Sequence, residues 1–215
     1  MVLSSQGRDD LVTALAPAPP LDRSPDLRAR AVEAALTCVA RHGLAKTTLD
    51  DVAREAGCAR ATLYRYFGGK RQLVAHTVAA EAERIGSSLR QAAAGAHDLE
   101  DAIVAVLTTG ARELAGHEAL AFLLAFEPDL VLPFVTFEGG DRILCDAGAA
   151  IAPCFEPFLP AGEAERLGEW VARVGLVYTC PPAGPIDLSD PAAARDLVRH
   201  FVLPGFLPIT SPSRG

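Results

Sequence analysis

Apolar residues recur along this chain at helical intervals, and no run of strict apolar/polar alternation between turn signals marks a strand. The pattern predicts an all-α protein. The first helix opens with Ser24 as N-cap, Pro25 at the first helical position and Asp26 in the first turn. Each suits the unpaired amides and the positive end of the helix dipole. Val32, Leu36 and Val39 supply an apolar stripe, and Gly43 supplies the stop. A second, short helix starts at Thr48, with Asp51 placed for a capping box, and ends at Gly57. A third runs from Ala59 to Phe67, carrying Leu63 and Phe67 on one face, and is closed by Gly68 and Gly69. A fourth opens at Lys70, with Val74, Val78, Ile85 and Leu89 as its stripe.

Further along, the spacing predicts helices from Leu99 to Leu114, Glu118 to Phe126, Glu138 to Phe155, Gly162 to Tyr178 and Pro191 to Phe201, separated by prolines such as Pro128 and Pro133. The expected organisation is a mobile arm over residues 1–22, a helix-turn-helix unit over 23–70, a larger bundle over 71–208 and a tail over 209–215. In the last two helices Leu167, Trp170, Val171, Val174 and Val177, with Leu197, Val198 and Phe201, form an apolar seam. Such a seam packs either inside one chain or between two copies.

Composition narrows the class. Of 215 residues, 50% are hydrophobic and 22% charged, which is enough for a sizeable core and far from the signature of disorder. The longest apolar run, Ala119 to Phe126, is well short of the roughly 20 residues that span a bilayer. The N-terminal MVLSSQGRDD has acids where a signal peptide is basic, so a cytoplasmic protein with no membrane partner is expected. The cysteines at 38, 58, 145, 154 and 180 form no CxxC pair and no tight cluster with histidine. Cys38 and His42 stand four apart, but two ligands do not make a metal site. With no nucleophile elbow or phosphate loop either, the expectation is no catalytic residue, no cofactor and no metal.

Net charge, −7 for the whole chain, argues against a nucleic-acid partner until it is read by segment. Residues 21–95 carry 12 basic and 8 acidic side chains, whereas residues 96–215 carry 7 basic and 17 acidic. The basic excess coincides with the two short helices joined by a glycine-containing turn, which is the grammar of a helix-turn-helix.

The run TTLDDVAREAGCARATLYRYFGGKRQL, from Thr47 to Leu73, resembles the DNA-binding domain of TetR-family transcriptional regulators, a likeness extending from Leu27 to near Val78. In that docking mode the N-terminal part of the second helix meets base edges, so Arg60 and Thr62 are the candidate readers and Arg65 lies on an outer face. Thr48, Tyr64, Tyr66 and Lys70 suit phosphates, although Tyr64 would also serve as a core aromatic with its hydroxyl at the surface. Many members have Ser or Thr where this chain has Ala59, so one cap worth about 1 kcal/mol and one backbone contact are lost.

The resemblance also implies a homodimer, a pseudo-palindromic double-stranded DNA operator and a small-molecule effector bound in a divergent C-terminal domain. It implies a repressor released when the effector binds. Arg112, His117, Phe122, Phe126 and Arg142 are candidate pocket residues, and a mostly apolar cavity with few polar anchors suits a hydrophobic or amphipathic effector. Two alternatives stand beside this reading, an effector-independent DNA-binding protein and an enzyme carrying a helix-turn-helix.

Overall fold

Gly43 adopts φ +81°, a left-handed conformation that ends α1 (Pro25–His42) and turns the chain into a short connection. The hydroxyl of Thr48 then accepts the Asp51 amide while the Asp51 carboxylate accepts the Thr48 amide, the reciprocal box that starts α2 (Leu49–Glu55). Gly57, at φ +65°, makes the turn into α3 (Arg60–Phe67). Ala59 caps α3 without a side-chain hydrogen bond, as its composition demands, and Gly68 closes that helix. Next come α4 (Lys70–Ala93), α5 (Leu99–Ala115), α6 (Glu118–Phe126) and α7 (Gly140–Ile151), the last running into a 3₁₀ turn (Ala152–Cys154). Finally α8 (Ala161–Thr179) leads to α9 (Pro191–Leu197), which continues through a π turn (Val198–Val202) into α10 (Leu203–Phe206).

This computed structural model describes residues 25–130, 140–179 and 186–206, and among them there is no strand. The expected arm over 1–22, the tail over 209–215 and the side chain of Arg142 lie outside the described residues. Among the described residues no helix is long and apolar enough to cross a membrane.

The chain divides into two compact units: residues up to Ile85 with Ala115–Asp146, and Gly86–Leu114 with the residues from Ala147 on. The core of the first joins Ala31, Ala34, Ala35 and Cys38 of α1 to Val52, Ala53, Ala56, Leu63, Phe67 and Leu73. Small side chains on α1 let its neighbours approach closely, while the predicted Leu36 and Val39 flank that contact half-buried. A similar correction applies to α4, whose buried residues include Leu73, Ala75, His76 and Thr77; of its predicted stripe Leu89 is buried, whereas Val74, Val78 and Ile85 are only half-buried. The helix period gives several candidate stripes on a helix of this composition, and the packing partner selects one. Burial pushes the Cys38 thiol above its usual range, as expected of a core thiol rather than a reactive one.

In the second unit Ile103, Val106 and Leu107 of α5 are buried, and so is Phe155. Leu167 and Val171 of α8 and Leu197 and Val198 of α9 and its π turn are buried within this single chain. They build the monomer core, so the predicted dimer seam is narrower than the sequence pattern suggested. What it leaves outside is Val177 and Phe201, 70% and 74% exposed, with Trp170 and Val174 half-buried. Charged groups close the same unit: the Arg195 guanidinium bonds Glu100 and Asp101, and Arg199 bonds Glu100, holding the Glu100 carboxyl below the usual carboxylate range.

Candidate nucleic-acid interface

The second helix of the motif is positioned by its own apolar face. Leu63 and Phe67 are buried at 0% and 3% exposure, which leaves Arg60, Tyr64 and Arg65 pointing outward and Thr62 half-exposed. Tyr64, at 60% exposure, is no core aromatic; its ring and hydroxyl are both presented to solvent. Tyr66 is different. It packs partly against the core, with the Arg65 guanidinium 5.9 Å from its ring centroid.

Arg60 Nη1 lies 3.1 Å from Asp50 Oδ2, an exposed pair that joins the start of α3 to the first turn of α2. Thr48 is exposed, but its hydroxyl donates to Asp51 Oδ2 at 2.6 Å in addition to capping α2. These hydrogen bonds hold the Asp51 carboxyl below its usual range, so it stays ionised and the cap stays closed.

Lys70 sits at the N-terminus of α4, where a cation opposes the helix dipole, and the structure supplies its compensation inside the chain. Its ammonium donates to the Leu44 carbonyl at 2.7 Å and faces the Ala45 carbonyl at 3.5 Å. Sequence reasoning had assigned that ammonium to a phosphate. At the other backbone group of the same residue, Glu127 at the end of α6 accepts the Leu44 amide at 2.8 Å. No sequence signal pointed to Glu127, which is 83 residues away along the chain.

His76 was also missed. It is 1% exposed, neither ring nitrogen has a hydrogen-bond partner among the described residues, and its ring meets Phe67 edge to face at 5.6 Å between centroids. Burial, with Arg28 adding a smaller contribution, holds its pKa below the ordinary 6.5.

The candidate effector residues are dispersed. On α6, the Phe122 and Phe126 rings meet in a tilted arrangement with centroids 4.7 Å apart, with Phe126 71% exposed. His117 instead caps α6, its Nδ1 accepting the Leu120 amide, while Nε2 lies 3.4 Å from Glu81. Arg112 belongs to the other unit and donates to the Ser189 carbonyl at 2.9 Å. Its guanidinium serves the connection before α9, because a buried or turning backbone carbonyl must find a donor.

Residues 31–77 match the family model described as bacterial regulatory proteins, tetR family. Across 186 residues the chain is 26% identical to a protein named as an uncharacterized HTH-type transcriptional regulator of Mycobacterium tuberculosis, covering 86% of this chain and 88% of that one. Over 60 residues it is 40% identical to the HTH-type transcriptional regulator BetI of Agrobacterium fabrum, covering 28% of this chain and 29% of BetI. The crystal structure of the TetR-family repressor AlkX from a Dietzia strain, 23% identical, is similar in fold with a TM-score of 0.60 over 81% of this chain and 93% of AlkX.

Proposed function

We propose that the chain, whose residues 31–77 match the tetR family model, is a homodimeric repressor of that family that leaves a pseudo-palindromic operator when a small apolar or amphipathic effector binds outside the helix-turn-helix. The observation that carries this reading is the amphipathic division of α3, with Leu63 and Phe67 buried and Arg60, Tyr64 and Arg65 outward. Arg60 and Thr62 would face base edges, where a guanidinium donates bidentately to guanine and a threonine methyl packs on thymine. Thr48, Tyr64 and Arg65 would meet the backbone, with the Tyr66 hydroxyl at its margin. Lys70 would act mainly on the chain's own Leu44 carbonyl and secondarily on phosphate.

Two further features support the reading. Trp170, Val174, Val177 and Phe201 leave apolar surface of the kind found in homodimer contacts. Phe122 and Phe126 place adjacent aromatic rings on α6, and AlkX, similar in fold, is implicated in the biodegradation of n-alkanes; both favour an effector with a sizeable apolar part.

The test is enrichment of duplexes from a random-sequence library, followed by release with hexadecane, palmitate and palmitoyl-CoA. A two-fold symmetric enriched site and its loss with at least one of these molecules are expected. Enrichment of no sequence sinks the regulator reading, and an enriched site that none of the three releases favours the effector-independent binder.

A further inference from the structure

The connection between α1 and α2 is held from two sides. Gly43 donates its amide to the Val39 carbonyl at 2.9 Å, and its own carbonyl accepts both the amide and the hydroxyl of Thr47, at 3.2 and 2.7 Å. The Leu44 amide donates to Glu127 Oε2 at 2.8 Å and the Ala45 amide to Glu127 Oε1 at 3.3 Å. The Leu44 carbonyl takes the Lys70 ammonium. Both polar groups of Leu44 are therefore satisfied by side chains from other helices, one residue group at the α3–α4 junction and one at the end of α6. Leu44 itself is 4% exposed and Glu127 only 8%, so water is a poor substitute for either partner.

The approach depends on a missing side chain. A Cβ on Gly43 would stand 2.5 Å from Glu127 Oε1 and 2.9 Å from the Phe122 ring, in addition to the strain of its positive φ. Three residues beyond Ala45 is Thr48, the cap that starts α2 and faces the candidate interface. The carboxylate consequently fixes the segment that sets where α2 begins.

We propose that Glu127 is a positioning residue for DNA recognition: its carboxylate, delivered by α6 from outside the helix-turn-helix, holds the Gly43–Ala45 turn in the geometry that aims Thr48 and α2 at the operator. This deepens the proposed function and rests on it. Since the same helix carries Phe122 and Phe126, α6 joins the candidate effector surface to the motif by one charge-assisted pair of hydrogen bonds.

The experiment uses the full chain with Glu127→Ala and Glu127→Gln, and as probes the duplex enriched by the unmodified protein and a scrambled duplex of equal length. Glu127→Ala is expected to lower affinity for the enriched duplex roughly tenfold or more, within the range usual for coupled sites, with little change for the scrambled one. Glu127→Gln, which keeps one acceptor oxygen, falls between. Amide hydrogen exchange at Leu44 and Ala45 should quicken in both variants. The ratio of the two affinities decides, because a merely structural loss that leaves part of the protein unfolded lowers both alike. An unchanged ratio, or unchanged exchange at Leu44, overturns the proposal; if Glu127→Ala does not fold, Glu127→Gln is judged by the same two readouts. Failure of the unmodified protein to enrich any duplex sinks the regulator reading and this proposal together, whereas an enriched duplex bound equally by the variants sinks only the role of Glu127.

Discussion

Arg60 and Asp50 form an ion pair of 3.1 Å across the turn of the helix-turn-helix, so the side chain proposed to read a base is pre-oriented by the helix before it. Both side chains are more than half exposed, and a pair of this kind contributes little to stability. Its value is geometric. Arg60→Ala should weaken binding to the preferred duplex by about 1–3 kcal/mol and broaden preference at one position. Asp50→Asn, which removes an acid at the candidate interface, should raise affinity for all duplexes at low salt. Binding isotherms on a set of single-base variants distinguish the two, and an unaltered preference in Arg60→Ala removes that residue from base reading.

Buried His76 makes stability depend on pH. Its folded-state pKa is lowered, so below about 6.5 the unfolded chain takes up a proton that the folded protein resists. Stability is fully present above pH 6.5 and declines as pH falls toward the folded-state value, by at most about 1.4 kcal/mol per pH unit. Urea unfolding between pH 5 and 7.5 reads this slope, as conditions set by the shift. In His76→Phe, which keeps an aromatic ring beside Phe67, the slope in this window should be shallower; an identical slope assigns the titration elsewhere.

Gly168 and Gly148 allow α8 to cross α7 backbone to backbone. A Cβ on Gly168 would collide with the Gly148 carbonyl oxygen and stand 3.2 Å from the Ala152 amide nitrogen, and one on Gly148 would lie 2.7 Å from Glu169 Cα. Alanine is the better helix former by about 1 kcal/mol, yet backbone atoms cannot move aside cheaply, so Gly168→Ala should cost a net 1–3 kcal/mol. Calorimetry would show a lower Tm; a higher one would mean that the helices separate without penalty.

Phe201, at 74% exposure, is the largest apolar group left outside by the packing of α9. Phe201→Asp should convert the proposed dimer to a monomer at micromolar concentration by sedimentation while leaving helix content unchanged, because the buried Leu197 and Val198 are untouched. A variant that still sediments as a dimer places the interface elsewhere.

Salt reports on the contacts as a group. About four phosphate contacts per subunit, eight in a dimer, give a slope of log K against log salt near −7. A slope near zero would remove the electrostatic footprint that the basic excess over residues 21–95 implies.

Much of the first unit was legible along the chain. Thr48 with Asp51, Gly43, Gly57 and Gly68 mark helix ends through bonds and dihedrals spanning at most a few residues, and the structure realises all of them. Leu63 and Phe67, four apart, likewise fixed the inner face of α3. The seam of α8 and α9 was legible as apolar but not as inward, since periodicity states which residues share a face and not what covers it.

Sequence by itself determined where the short helices of the helix-turn-helix begin and end and which one carries the candidate base readers, because capping and amphipathic spacing act within one or two turns. Only the tertiary structure decided that Lys70 turns to Leu44, that the ring nitrogens of His76 are enclosed without a hydrogen-bond partner among the described residues and that Glu127 returns across 83 residues to the same Leu44. Those outcomes follow from burial: a polar group excluded from water takes whichever partner packing brings within hydrogen-bond reach, and packing is a property of the assembled helices.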